Sequence, residues 1–355
     1  MEAVKTLKLR IKDKHAAVLS VMASEVNFVW NYCNETSSRA IRDRRKFLSA
    51  FDLQKLTAGY SKCEGVGVGS ATVQLVCEEY ATRRKQFKKA RLNWRVSNPK
   101  SARRSLGWVP FKVGGVKYKA GQVSFLGHRF SLWDSYGLSK YELKGGSFAQ
   151  DARGRWYLNV CVKVEPQKSE GTEVIGIDLG LKTAAVCSDG TELASGTYRR
   201  HEAALAKAQR AHKKHRVRAI HAKIANTRKD AMHKFSTGLV ARSGAIFVGN
   251  VQASAMVKTR MAKSTLDAGW SMMKTMLEYK SHQAGVVFQE VNEAWTTQTC
   301  SSCGVIPASS PKGRAGLRMR RWACCGCGAE HDRDVNAARN IARVGRHALG
   351  EGAPG

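Results

Sequence analysis

The amino-acid sequence predicts a multidomain α/β protein. Helical periodicity runs through residues 14–104, short alternating segments between turn residues fill 105–166, and buried strands alternate with helices from 172 onward. A chain of 355 residues has room for two or three hydrophobic cores. We therefore expect several domains and not one.

The charge of the chain indicates its partner. Lys and Arg number 60 against 28 Asp and Glu, which gives a net charge of +32. Such an excess favours a polyanionic partner, and nucleic acid is the one we expect. A membrane is excluded as the alternative, because no run reaches the ~18 to 20 apolar residues of a spanning helix and no signal peptide opens the chain. We expect a cytoplasmic, nucleoid-associated protein of a prokaryote.

The first half of the chain is predicted to be a small β-barrel with a helical insertion. Residues 1–13 alternate as a strand, and 105–166 contain several short strands that are separated by glycine turns. The N-terminal strand would close this barrel, and the helical segment 14–104 would interrupt it. A linker with a proline, Glu165–Gly171, marks the end of this half.

A basic run ends the helical segment. Between Arg83 and Arg104 there are ten basic residues and no acidic one, with Phe87 and Trp94 interleaved. This composition is typical of a surface that follows a nucleic-acid backbone and offers rings for stacking, although a solvated helix face has a similar composition. From charge and position alone, the side chains expected to contact DNA are Lys5, Lys8, Arg10, Arg83, Arg84 and Lys112.

The second half begins with a buried strand that carries one acid. Glu173–Gly180 places Asp178 near the carboxyl end of that strand, and a hairpin signal at Asp189-Gly190, a third strand and a long basic helix follow. This order is the opening of an RNase H-like fold, although an aspartate beside a glycine also occurs as a turn cap. Ala245–Val251 and Gly285–Val291 are further buried strands, so their carboxyl ends should share one sheet edge with Asp178.

The last helical segment, His331–Ile341, is expected to bring a second acid to that edge, either Asp332 or Asp334. Clustered carboxylates suit hard cations such as Mg²⁺ or Mn²⁺. Two such ions about 3.5 to 4 Å apart activate water and stabilise the leaving oxygen in phosphodiester hydrolysis. The predicted chemistry is therefore that of a two-metal nuclease.

Four of the ten cysteines form a predicted zinc site. Cys300, Cys303, Cys324 and Cys327 follow the spacing C-x2-C-x20-C-x2-C, at which two tight turns close a four-sulfur site. A redox pair is the alternative, and Cys325 could replace a neighbouring ligand. Four protein ligands leave no open position, so the predicted zinc ion is structural.

Three motifs carry a resemblance to a known family. They are Gly176-Ile177-Asp178-Leu179-Gly180, the run Thr296-Thr297-Gln298-Thr299-Cys300 that leads into the two cysteine pairs, and Asp332-Arg333-Asp334-Val335-Asn336-Ala337-Ala338. With them the chain resembles, over nearly its whole length, the insertion-sequence-associated TnpB (OrfB) proteins. These are RNA-guided DNA nucleases related to the compact type V CRISPR effectors.

The resemblance implies a domain organisation. It assigns 1–13 and 105–166 to a wedge β-barrel, 14–104 to a helical recognition domain, 172–295 and 330–345 to an RNase H-like (RuvC) nuclease domain, and 296–329 to the inserted four-cysteine zinc ribbon. Residues 346–355, rich in glycine, are expected to be a disordered tail.

The resemblance also implies roles and partners. Asp178 would be the first catalytic acid and Asp334 the last, both binding Mg²⁺ or Mn²⁺, while Asp332 would cap the helix. The expected partners are a guide RNA from the transposon end and double-stranded target DNA beside a short motif. The protein is expected to act as a monomeric ribonucleoprotein.

One departure from the family bears on activity. The family's middle acid ends the second buried strand, whereas this chain has Gly249-Asn250 there. Glu290 and Glu293 follow on the next strand, and neighbouring strands are only about 4.8 Å apart, so a glutamate can span the shift. We favour Glu293 as the third catalytic acid, with Glu290 as the alternative.

Three functions remain open on the sequence. The first is an RNA-guided DNA endonuclease, and the second is a nuclease-dead RNA-guided DNA-binding repressor, which the missing acid favours. A transposase that joins DNA strands shares the fold and the two-metal chemistry, but the resemblance argues against it.

Overall fold

The computed structural model of the chain describes residues 3–251, 256–259, 261–316 and 318–350. The chain divides into two units, Met1–Glu165 and Pro166–Gly355. None of the described helices is both long enough and apolar enough to cross a membrane.

The β part of the first unit is one antiparallel sheet of seven strands in the order β2-β6-β7-β1-β5-β4-β3. The strands are β1 (Ala3–Ile11), β2 (Trp108–Phe111), β3 (Lys117–Lys119), β4 (Gln122–Phe125), β5 (His128–Trp133), β6 (Leu143–Gln150) and β7 (Trp156–Val164). The sheet curls enough for the rings of Phe111 and Phe125 to approach to 6.0 Å between centroids. It is a half-barrel around a phenylalanine core.

The prediction that the N-terminal strand closes a barrel is wrong. β1 lies in the middle of the sheet, where it pairs with β7 from Ala3↔Val164 to Arg10↔Tyr157 and with β5 at Arg10 and Ile11. β1 thus joins β7 to β5, but this pairing does not close the sheet into a barrel. Within the described residues the sheet ends at β2 and β3, which do not pair with each other.

Three α-helices follow β1: α1 (Ala16–Arg44), α2 (Ala50–Leu56) and α3 (Ser70–Phe87). α1 and α3 pack on β2, and α2 packs on α3. Leu19, Met22 and Val26 bury one face of α1, at the helical spacing that the sequence predicts. These helices and the sheet share one hydrophobic core. Arg84, expected at the DNA surface, is buried in that core and donates to Leu48 O and Ser37 Oγ.

The second unit is built on a five-stranded sheet in the order β10-β9-β8-β11-β12. The strands are β8 (Glu173–Asp178), β9 (Thr183–Cys187), β10 (Glu192–Ala194), β11 (Ser243–Gly249) and β12 (Val287–Val291). β9 and β10 are antiparallel to their neighbours, while β8, β11 and β12 run parallel. The carboxyl ends of those three parallel strands therefore share one edge, as predicted.

The remaining elements of this unit are α4 (Glu202–Arg210), α5 (Lys214–Arg242), α6 (Ala262–Ala268), α7 (Trp270–Ala284), the ribbon elements α8 (Gly313–Gly316), β13 (Arg321–Ala323) and β14 (Glu330–Asp332), and the last helix, α9 (Arg333–Ala348). α9 packs directly on β8. A Cβ at Gly176 would overlap the carbonyl oxygen of Ala338, so the helix and the strand approach as closely as two backbones can.

The predicted start of the disordered tail, residue 346, falls within the last helix. α9 continues to Ala348, because the helix still has a packing surface at Gly345, where a Cβ would overlap the ring of Phe247. The rest of the predicted tail, 351–355, lies outside the described residues.

Candidate metal sites

Three carboxylates gather at the carboxyl edge of the second sheet. Asp178 is the last residue of β8, Glu293 follows β12 by two residues, and Asp334 lies in the first turn of α9. The pKa of Asp178 is raised to about 7, first by the enclosing protein and then by the negative charges of Asp334 and Glu293. The structure therefore brings Asp334 and Glu293 within electrostatic reach of Asp178.

Glu293 occupies the space that the missing acid leaves. A Cβ built on Gly249 would overlap Glu293 Oε2 and lie 3.3 Å from Glu293 Cβ. Asn250 Oδ1 accepts a bond from the Glu293 backbone N–H at 3.4 Å, and the backbone N–H of Val251 donates to the Glu293 carboxylate. Enclosure raises the pKa of Glu293, while Lys274 and that N–H act in the opposite direction. Gly249-Asn250 thus forms a cradle for Glu293.

The alternative acid, Glu290, is engaged elsewhere. It lies within β12, opposite Val248 of β11, and its half-exposed carboxylate accepts through Oε2 from Lys274 Nζ at 2.5 Å. The charged groups that shift the pKa of Asp178 are Asp334, Glu293 and Arg333. Of the two candidate glutamates, Glu293 is the one placed beside Asp178.

Two arginines hold Asp334. Arg320 Nη1 donates to Asp334 Oδ2 at 2.7 Å, and Arg333 Nε donates to Oδ1 at 3.0 Å. Asp332 caps α9 instead of joining the acids, since its Oδ1 accepts from the backbone N–H groups of Asp334 and Val335 at 3.0 and 3.1 Å. Sequence reasoning missed both arginines, although the Arg-rich stretch before β13 was visible.

The three acids offer the kind of ligand atom that hard cations bind. Carboxylate oxygens are what Mg²⁺ and Mn²⁺ prefer, and the enclosure of Asp178 and its repulsion by the two other acids favour binding of a positive charge there. The ligand atoms of the three acids do not all lie within 4.8 Å of one another. In the described part of the chain, only the ligand atoms of the four cysteines form such a group.

The four cysteines have the geometry of a zinc site. Cys300 and Cys327 have their Sγ atoms 3.7 Å apart, and those of Cys303 and Cys324 are 3.8 Å apart. With Zn–S bonds of about 2.3 Å, the edge of a regular tetrahedron is about 3.8 Å. The cluster could therefore hold zinc without rearrangement. Cys325 is exposed and lies outside the group.

Two matching turns build the cluster. Gly304 N donates to Cys300 O and Gly328 N to Cys324 O, both at 2.8 Å, and both glycines have positive φ, 76° and 74°. His331 Nε2 lies 3.0 Å from Cys300 Sγ and is buried, a contact that sequence reasoning missed. Burial raises the pKa of Cys300, but the N–H groups of Cys303 and Ser302, with His331, lower it overall to about 6.

The zinc ribbon is fastened to α9 by two asparagines. Asn336 Nδ2 donates to Thr299 O at 2.8 Å, and its Oδ1 accepts from Ser301 N at 2.8 Å. Asn340 Nδ2 donates to the carbonyls of Thr296 and Thr299 at 2.8 and 2.7 Å. Because Asp334 lies on the same helix, these bonds set the position of the ribbon relative to the acids.

Two family models match this chain. Residues 158–260 match OrfB_IS605, described as "Probable transposase", and residues 270–341 match the Cas12f1-like TNB domain. The second match spans the four cysteines, Glu293 and Asp334.

Three curated relatives span different shares of the chain. A "Putative RNA-guided DNA endonuclease" of Streptomyces pristinaespiralis is 27% identical over 96% of this chain and 89% of its own length. InsQ of Escherichia coli K12, described in the same terms, is 27% identical over 55% of each. The CRISPR-associated endodeoxyribonuclease Cas12f1 of Sulfoacidibacillus thermotolerans is 26% identical over 57% of this chain and 54% of its own.

The fold matches a solved structure of Cas12f1 with sgRNA and target DNA, with a TM-score of 0.60 over 96% of this chain and 99% of that one, at 14% identity. The chain thus belongs to the class of proteins with a Cas12f1-like fold. Within that class the OrfB_IS605 and Cas12f1-like matches confirm the predicted resemblance to the TnpB (OrfB) proteins.

Proposed function

We propose that the chain is an RNA-guided DNA endonuclease with an RNase H-like (RuvC) site. Asp178, Glu293 and Asp334 bind two Mg²⁺ or Mn²⁺ ions in this site. The observation that carries the proposal is the fit between Glu293 and Gly249, since the glutamate fills the space that is open where the family's own acid is missing. An abandoned site would have no reason to retain such a fit.

Asp178 and Asp334 would have different roles in binding the metal ions. The bound ions would supply an activated water and stabilise the leaving oxygen of the phosphodiester. Asp178, enclosed and repelled by its neighbours, gains most when a cation arrives. Asp334 would hold a metal through the lone pairs that the two arginines leave on its oxygens, and Arg320 would lie close enough to the metal site to contact a phosphate of the substrate.

The proposed role of the zinc ion is structural. It would hold the two turns together, and the bonds from Asn336 and Asn340 would pass this rigidity to α9. Arg320 enters the site from the stretch just before β13, so an intact ribbon is needed to place it beside Asp334.

The proposed partners are a guide RNA from the transposon end and double-stranded DNA beside a short motif, bound by a monomeric ribonucleoprotein. The net charge of +32 and the names of the relatives support both partners. The first unit would serve as wedge and recognition domains, and the second unit as the RuvC domain with its ribbon.

A cleavage assay tests the proposal. The protein is co-expressed with the DNA that flanks its gene, the ribonucleoprotein is purified, and the bound RNA is sequenced. Plasmids with a matching target beside a randomised motif are then incubated with Mg²⁺ or Mn²⁺. We expect cuts that depend on the target and are absent with Asp178→Asn. Binding of RNA and target without cleavage in either metal contradicts the proposal.

That outcome would support the second candidate, a nuclease-dead RNA-guided repressor. The absence of a carboxylate at Gly249-Asn250 and the two arginines on Asp334 favour it. Under this function Asp178→Ala and Glu293→Ala leave both DNA binding and repression unchanged.

A further inference from the structure

The first unit contains a cavity of 580 Å³ that is lined by aromatic and basic side chains. α1 contributes Trp30 and the end of α3 contributes Phe87, while the irregular segment that follows contributes Trp94 and β2 contributes Trp108. The volume lies within the range of about 300 to 1,000 Å³ of small-molecule sites. Two of the rings are open to a ligand, since Phe87 is 56% and Trp94 43% exposed.

This segment is irregular in backbone but firmly held. Three asparagines on one face of α1 bind it. Asn34 exchanges two bonds with the backbone of Leu92, at 2.8 and 2.9 Å, and Asn31 exchanges two with that of Arg95, at 2.8 and 2.9 Å. Asn27 Nδ2 donates to Ser97 Oγ at 3.0 Å, and Trp30 Nε1 donates to Asn93 O at 3.3 Å.

This ladder of asparagines has a consequence for binding. An exposed basic segment is ordinarily flexible, and a ligand that orders it must overcome the lost chain entropy. In this protein the segment loses its chain entropy when the protein folds, because the asparagines that bind it belong to the folded interior. Asn34 is fully buried and Asn27 nearly so. The backbone that carries Trp94 is therefore held in place before any ligand arrives.

The charge of the cavity suits an anionic ligand. Lys89 and Arg95 contribute to the lining, and the Arg91 guanidinium lies 5.1 Å from the centroid of the Trp94 ring. The carboxylate of Glu79 in the lining is neutralised by Arg83 at 2.6 Å. An aromatic cavity with cations at its rim matches a nucleotide, whose base stacks on a ring and whose phosphate needs a positive charge.

We propose that this cavity binds one unpaired nucleotide of an RNA, with its base stacked on Trp94 or Phe87. The choice of RNA rests on the proposed function. Of the two proposed partners, a folded RNA presents unpaired bases in loops, bulges and ends even before a target is bound, whereas a DNA duplex exposes its bases only where the strands are separated. All residues that line the cavity belong to the first unit.

The test is RNA binding by the full-length protein at several salt concentrations, with the co-purifying RNA as probe. Trp94→Ala should weaken binding about 5- to 100-fold, the usual effect of losing one stacked base, and Trp94→Phe should restore most of it. The salt dependence should stay unchanged, because no phosphate contact is lost. Trp133→Ala is the matched control, since Trp133 is 64% exposed and lies outside the cavity lining.

The outcomes separate this proposal from the proposed function. Equal RNA affinity of the wild type, Trp94→Ala and Phe87→Ala would overturn the cavity proposal and leave the guided nuclease intact. No RNA binding by the wild type would overturn the guided function itself. If Trp94→Ala weakens binding of duplex DNA but not of RNA, the cavity serves the other partner and the proposal is wrong.

Discussion

The guanidinium of Arg320 donates to Asp334 Oδ2 at 2.7 Å, so a ribbon side chain holds one of the three proposed catalytic acids. The same carboxylate is bonded by Arg333 on its other oxygen. A divalent ion that binds Asp334 must compete with both arginines.

Removal of Arg320 should therefore tighten metal binding. Arg320→Ala is expected to raise the affinity for Mn²⁺ about 2- to 5-fold, the range that corresponds to a partly exposed ion pair. The affinity is measured by titrating the metal-free protein with Mn²⁺ and recording the decrease of the free Mn²⁺ signal by electron paramagnetic resonance. Arg321→Ala is the control, because Arg321 is exposed on β13. Unchanged or weaker affinity in Arg320→Ala would show that the arginine does not compete with the metal.

Asp178→Asn should stabilise the metal-free protein. Asp178 is enclosed and repelled by Asp334 and Glu293, so its charge destabilises the folded state when no cation is bound. We expect calorimetry in EDTA to show a higher Tm for this variant. The rise should be about 2 to 4 °C for each kcal/mol of repulsion that the substitution removes. Asp189→Asn should have the opposite effect, because Asp189 is paired with Arg242 and bonded to Thr191. A lower Tm for Asp178→Asn would refute the repulsion.

The cysteine cluster should bind one zinc ion per chain. We expect inductively coupled plasma mass spectrometry to find about one equivalent in the purified wild type and in Cys325→Ser, since four thiolates complete a zinc site. Cys324→Ser should lose most of the metal, because Cys324 is one of the four grouped ligands. Full loss of zinc in Cys325→Ser together with retention in Cys324→Ser would mean that the ligand assignment is wrong.

Gly249→Ala should impair cleavage without removing any acid. The added Cβ overlaps the present position of Glu293 Oε2, so the carboxylate must move. We expect a loss of about 10-fold or more in the single-turnover rate, since displacing a catalytic group by about 1 Å can cost 10²-fold. Gly238→Ala on α5 is a suitable control, because its added Cβ would meet no atom within 4 Å. Equal rates for wild type and Gly249→Ala would exclude a role for this cradle.

The sequence predicts the acids better than their surroundings. Strand order and helix position predict Asp178 and either Asp332 or Asp334 at one sheet edge, and the resemblance to the TnpB proteins selects Asp334. Glu293 follows from the gap at Gly249-Asn250 and the spacing of strands. The contacts of Arg320 and Arg333 with Asp334 could not be predicted, because they depend on how the ribbon folds back on α9.

The first unit shows a similar limit. The alternation of Leu7, Leu9 and Ile11 predicts a strand, but it does not tell whether one edge or both edges are paired. The asparagine ladder is also hidden, since Asn27, Asn31 and Asn34 resemble an ordinary polar helix face until their partners on the basic segment are known. In both cases the missing information is the position of a segment distant in sequence.

The most direct test of the account is the single-turnover cleavage rate of Glu293→Gln against Glu290→Gln, each as a ribonucleoprotein with its target DNA in Mg²⁺. Loss of one metal ligand should lower the rate of Glu293→Gln by about 10²-fold or more. Glu290→Gln should stay within about 3-fold of wild type, because the Glu290 carboxylate is bonded to Lys274 and a glutamine oxygen can still accept that bond. Wild-type cleavage by Glu293→Gln, or a large loss confined to Glu290→Gln, would contradict the assignment of Glu293 as the third acid.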